Sequence, residues 1–90
     1  MTKERAYEIA KDHVENRKPY EISYIELADT NHVQVQTVFE PYYFDNTSFV
    51  TYIDLEEENG DCFEGHTARP TDIDDIAYWI YAMCWNREEL

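Results

Sequence analysis

Ninety residues allow one domain with a single core. Apolar side chains at 43% and aromatics at 16% exclude a disordered tail. Asp and Glu number 20 against 7 Lys and Arg, a net charge of −13 that excludes direct binding to DNA, RNA or anionic lipid, since those ligands need Lys and Arg to displace counterions.

The first predicted element is a helix over TKERAYEIAKDHVENRKP (2–19). Thr2 is its N-cap, and Ala6, Ile9, Ala10, His13 and Val14 recur at three- and four-residue spacing along one side. Pro19 marks its end, because the residue before a proline avoids helical geometry. Three strand-like runs follow. In YEISYIEL (20–27) the adjacent Tyr24–Ile25 pair breaks the alternation and points to a bulge or to burial on both faces. ADTNH is a turn. VQVQTVF (33–39) puts Val33, Val35 and Phe39 on one face and Gln34 and Gln36 on the other. FVTYIDLE (49–56) likewise divides Phe49, Ile53 and Leu55 from Val50, Tyr52, Asp54 and Glu56. Asn59-Gly60 signals a hairpin, since both residues tolerate positive φ, and DCFEGHTA supplies a short fourth strand.

The last predicted helix lies in PTDIDDIAYWIYAMCWNREEL (70–90). It opens with Pro70 and a Thr71-x-x-Asp74 pattern close to a capping box. Asp72, Asp74 and Asp75 fall in its first turn, where the helix dipole favours negative charge. Ile73, Ile76, Ala77, Ile80, Met83 and Cys84 form one apolar stripe. The expected fold is α+β: an antiparallel three- to four-stranded meander flanked by an N-terminal and a C-terminal helix, both on one sheet face. Residues 1–90 form a single acidic domain without internal repeats.

Catalytic signatures are missing: there is no glycine-rich phosphate loop, no Gly-x-Ser-x-Gly elbow and no His-Glu-x-x-His pair. Cys62-x-x-x-His66 offers two zinc ligands where a structural site wants four. A calcium loop with Gly60 at its sixth position would start on Leu55, where a carboxylate is required. The expectation is a non-enzymatic protein with no cofactor and no metal. Cys84 reads as core and Cys62 as a strand residue, both reduced. The charged start MTKERAYEIAKD resembles neither a signal peptide nor a membrane anchor, so the expected compartment is the cytoplasm.

What remains is charge and aromatic surface. Residues 1–40 carry 5 basic and 8 acidic side chains, residues 41–90 carry 2 and 12. The stretch DLEEENGD packs Asp54, Glu56, Glu57, Glu58 and Asp61 into eight positions, with Glu64 on the next strand, Asp72 and Asp75 at the last helix and Asp45 in the preceding loop. Alternate strand residues stand ~6.5–7 Å apart on one face, a stride at which carboxylates can occupy sites that a protein uses for phosphates. A solvated hairpin tip is the plainer reading. The last helix carries a second stripe, Tyr78, Tyr81 and Trp85, and residues 76–85 contain no charged side chain. Tyr42, Tyr43 and Phe44 sit beside Asp45. Tyr and Trp are enriched at binding hot spots, although such rings also plug the ends of small cores.

In size, acidity, lack of glycine-rich sites and compact α/β layout, the chain resembles small phage or mobile-element inhibitors of the anti-CRISPR and anti-restriction type. The resemblance implies an inhibitor that acts in the host bacterial cytoplasm as a nucleic-acid (DNA) mimic. Its partner would be a basic, nucleic-acid-binding protein surface on a nuclease or effector complex. The carboxylates named above would meet Lys and Arg, and Tyr42, Tyr43, Tyr78, Tyr81 and Trp85 would anchor the contact. Two further readings stand beside it. One is an immunity protein or antitoxin neutralising a basic nuclease. The other is a structural or interaction module forming a homodimer through the Tyr78/Tyr81/Trp85 stripe.

Overall fold

A computed structural model of the chain describes residues 1–40 and 49–90. Helix α1 (Lys3–Asn16), strands β1 (Ile22–Glu26), β2 (His32–Phe39), β3 (Phe49–Glu56) and β4 (Cys62–Ala68), and helix α2 (Ile73–Met83) follow one another along it. The strands make one antiparallel sheet in the order β1-β2-β3-β4. This is the expected α+β meander, with four strands.

Helix α1 begins where the Thr2 hydroxyl accepts the Arg5 N–H at 3.0 Å. It buries Ala6, Ile9, Ala10 and His13 of the predicted stripe, with Val14 partly buried against the core. It ends at Asn16, short of Pro19: Arg17 is already extended, and the Lys18 N–H bonds the Glu21 carboxylate at 2.7 Å. In α2 the cap is Asp72 rather than Thr71, its carboxylate accepting the Asp75 N–H at 3.0 Å. Both residue types cap well, and the one nearer the apolar stripe takes the position. Ile76, Ala77, Ile80, Met83 and Cys84 are buried as expected.

Within the segment 70–90, α2 stops at Met83. Asn86 adopts φ 59°, a left-handed geometry that stops the helix. The last residues then run beside the end of β1 as a short strand. Leu27 and Glu89 form an antiparallel bridge. Ala28 N–H donates to the Glu88 carbonyl and Leu90 N–H to the Glu26 carbonyl, both at 2.8 Å. Arg5 clamps the Glu89 carboxylate through two N–H bonds of 3.1 and 3.0 Å, and Arg87 pairs with Asp29.

One sheet face carries the core. Ile25, Leu27, Val33, Val35, Ile53 and Leu55 point towards the two helices and pack with Ile9, Ile76, Ile80 and Met83. The predicted faces hold for 33–36 and 52–56, whereas Phe39 is exposed at the end of β2 and Val50 is fully buried on the face away from the helices. In β1 the expected irregularity is absent: Ser23 and Ile25 point in, and Tyr24 points out. Beneath α1 a polar seam crosses the core. His13, only 2% exposed, bonds Ser23 through Nδ1 at 2.7 Å and Thr37 through Nε2 at 3.1 Å, and Thr37 bonds Thr51 at 2.6 Å. Burial, followed by the nearby Arg17 charge, lowers the His13 pKa against a smaller pull from Asp12. No helix among the described residues is long and apolar enough to cross a membrane.

Candidate functional site

The sheet face away from the helices adjoins the acidic β3–β4 turn. In that turn the Gly60 N–H reaches the Glu57 carbonyl at 2.9 Å, and the Glu57 N–H reaches the Asp61 carbonyl at 2.8 Å. The loop therefore has three residues, with Gly60 at φ +91° supplying the left-handed position. Asn59 does not share it, contrary to the reason for which Asn59-Gly60 signals a hairpin. Its side-chain oxygen instead accepts the Asp61 N–H at 3.1 Å. Glu58 and Asp61 are exposed, and Glu57 is partly covered.

The strand register sets cross-strand rows on the open face. Tyr24, Gln34, Asp54 and Gly65 form one, and Glu26, His32, Glu56 and Cys62 the next. Asp54 and Glu56 thus stand side by side as predicted, but neither is a bare carboxylate. Gln34 Nε2 donates to Glu56 Oε1 at 3.3 Å, His32 Nε2 lies 3.3 Å from the same oxygen, and Tyr24 stacks on the His32 ring at 4.5 Å. Burial, then the Glu56 charge, raises the Asp54 pKa, with His66 opposing. Tyr24, His32 and Gln34 were not among the predicted site residues, because only the register brings them to these carboxylates.

A bulge lies where β3 shifts register between Leu55 and Glu56: Leu55 faces Glu64 while Glu56 faces Cys62, leaving Phe63 as the extra residue. The bulge returns Cys62 to the open face and leaves Glu64 and His66 on the helix side. There His66 bonds Glu64 at 2.6 Å and stacks on Trp79 at 3.6 Å between centroids. The two potential zinc ligands are thus parted by the sheet. Burial, then Asp54, raises the Cys62 pKa, so it is a thiol at neutral pH. Both cysteines are free. Among the described residues, no three His, Cys, Asp or Glu side chains are grouped to hold a metal ion.

The fold adds anions that sequence patterns did not single out. His32, at the start of β2, pairs with Glu56 at the end of β3, so the β1–β2 and β3–β4 turns share one end of the sheet. Thr30, Asn31, Glu57, Glu58 and Asn59 line one shallow hollow there. The C-terminal strand brings Glu88 to the same end, and Asp29 lies there paired with Arg87. No cation pairs with Glu57, Glu58, Asp61 or Glu88 among the described residues.

Other predicted site residues lie elsewhere. Glu64 is on the helix side of β4. Asp72 and Asp75 open α2 at the opposite end, the seven-residue length of β4 away from the turn, or about 20 Å. Tyr78 and Trp85 are 61% and 62% exposed on the helical layer, and Tyr81 is partly covered under Lys3, whose Nζ is 5.8 Å from its ring centroid. Tyr42, Tyr43 and Asp45 fall outside the described residues. The fold therefore does not gather the carboxylates and the α2 rings into one patch. Protein-family models, curated proteins and solved structures yield no match to this chain.

Proposed function

We propose that this protein is a non-enzymatic inhibitor whose acidic sheet end, Asp54, Glu56, Glu57, Glu58 and Asp61 with Glu88 beside them, binds a basic protein surface that otherwise holds nucleic acid. The observation that carries the reading is the convergence of two turns and the C-terminal strand on one end of the sheet, where uncompensated carboxylates collect. The hairpin backbone is already held by its turn hydrogen bonds, so the carboxylates lose only side-chain freedom when they replace phosphates on Lys and Arg. Tyr24, 53% exposed beside them, supplies a flat ring for the contact. Long-range attraction makes association fast and sensitive to salt.

The test is titration of CRISPR effector complexes and restriction nucleases with the protein, in low and high salt, following release of a labelled nucleic acid. The expected result is competitive release that weakens as salt rises. A Glu57→Lys/Glu58→Lys/Asp61→Lys variant should fail to compete while folding normally. Release that is indifferent both to salt and to this charge reversal would refute the reading.

A further inference from the structure

The outer face of the helical layer has a character opposite to that of the acidic end. Between α1 and α2 runs an apolar groove of about 540 Å³ lined by Lys3, Glu4, Tyr7, Ala77, Tyr78 and Tyr81. Tyr7 is 45% exposed, and Tyr78 and Ala82 on the outside of α2, with Trp85 in the turn just past its end, follow one another at i, i+4 and i+7, all exposed. Ala82 leaves a gap between two rings into which a neighbouring side chain can enter. The exposed parts of Tyr7, Tyr78 and Trp85 amount to roughly 300–400 Å², taking ~200–250 Å² for a whole ring side chain. That is about half of the ~800 Å² per partner that an ordinary stable interface covers, and it is its apolar half.

Charge decides what fits. The chain is at −13, yet this groove carries one cation, Lys3, next to one anion, Glu4, and α2 contributes no charge between Ile76 and Trp85. A basic partner is drawn to the acidic sheet end and gains nothing electrostatic here. A patch with adjacent opposite charges, Lys3 by Glu4 in the groove and Arg87 by Glu88 beside Trp85, complements itself: a two-fold axis can set Lys3 of each copy towards Glu4 of the other. It is also a face where two −13 molecules can meet with little local repulsion. We propose that a second copy of this chain packs on this face, the two α1–α2 pairs forming a four-helix layer with the acidic sheet ends left free.

The proposal does not depend on what the acidic end binds. Its test is the mass of the full chain by sedimentation equilibrium at submillimolar concentration, in low and high salt. The expected mass is twice the 10.8 kDa of one chain, with tighter association as salt screens the net repulsion, the reverse of the salt response at the acidic end. Ala82→Arg places a large charge between the rings at an exposed helical position. It should give a 10.8 kDa species with unchanged far-ultraviolet circular dichroism. Glu57→Lys/Glu58→Lys should stay dimeric. A wild-type chain of 10.8 kDa in high salt, or an Ala82→Arg chain that remains dimeric, would overturn the proposal.

Discussion

The Asp54 carboxylate lies over the backbone of Gly65, its opposite number on β4, so closely that a β-carbon at 65 would stand 2.6 Å from Oδ1. Gly65 is thus the reason the carboxylate can fold down onto the sheet. Gly65→Ala pushes it up into water, which removes part of the burial that raises its pKa. Carboxyl NMR titration should show the Asp54 pKa falling towards its ordinary value in this variant. An unchanged titration would mean that the contact with the Gly65 backbone does not set it.

The same burial has a consequence for stability. Because the folded state holds the Asp54 proton more tightly than the unfolded chain does, the stability present below its ordinary pKa is lost as pH rises through the folded value. Asp54→Asn removes that loss. At neutral pH it should stabilise the protein modestly, because the group is only partly buried and its charge is screened. Melting at pH 3 and pH 7 checks this: the variant's advantage should appear at pH 7 and vanish at pH 3. The same variant should weaken target binding, since it deletes one of the carboxylates at the acidic end.

His13 works with the opposite charge sign. Its folded pKa is lowered, so as pH falls below about 6.5 the unfolded chain takes up a proton before the folded one does, and stability drops until the folded pKa is passed. Denaturant melts between pH 7.5 and 5 should show this loss. His13→Gln should flatten the slope while lowering stability at pH 7.5 by about 1–3 kcal/mol, because the Ser23 and Thr37 hydroxyls lose their fitted partner. A variant with an undiminished slope would shift the titration to another group.

The elements that a linear reading recovers are those whose burial is one-sided. In β2 and β3 Val33, Val35, Ile53 and Leu55 face the helices while Gln34, Gln36, Asp54 and Glu56 face the other way, so alternation over these stretches shows both strands and puts Asp54 beside Glu56, although Val50 is fully buried on the other face. β1 hides the same regularity because its outward residue, Tyr24, is aromatic and is used against His32 on the neighbouring strand. A ring on the open face looks like a core residue until the register is known. The bulge in β4 leaves no local mark either, so Cys62 and His66 read as a pair when they lie on opposite sides of the sheet. At the C-terminus, Arg87, Glu88 and Glu89 are good helix formers, and what overrides them is pairing with residues 26–28 far back in the chain. The exposed rings of α2 are visible as a surplus of aromatics, and the sequence pattern cannot say that Trp79 is the one sheltered by His66.

That C-terminal pairing leads to the last prediction. Glu89 is held by two N–H bonds from Arg5, and this hydrogen bonding, ahead of the opposing effect of burial, lowers its pKa. A carboxylate with a depressed folded pKa contributes stability above its ordinary range and loses it as pH falls through the folded value. With side chains 43% and 31% exposed, the Arg5–Glu89 pair is worth at most about 1 kcal/mol, so its loss should hardly move the global melt. Its local effect is larger, because apart from it only the Arg87–Asp29 pair and the few backbone bonds of the joint fasten the short strand. In Glu89→Gln the Ala28 and Leu90 amides, which bond Glu88 and Glu26 across this joint, should exchange with solvent several-fold faster at neutral pH. Amides of β2 and β3 should keep their wild-type protection. Uniform acceleration across the sheet would show instead that the C-terminal strand belongs to the cooperative core, and equal rates at Ala28 and Leu90 would show that the clamp does not hold it.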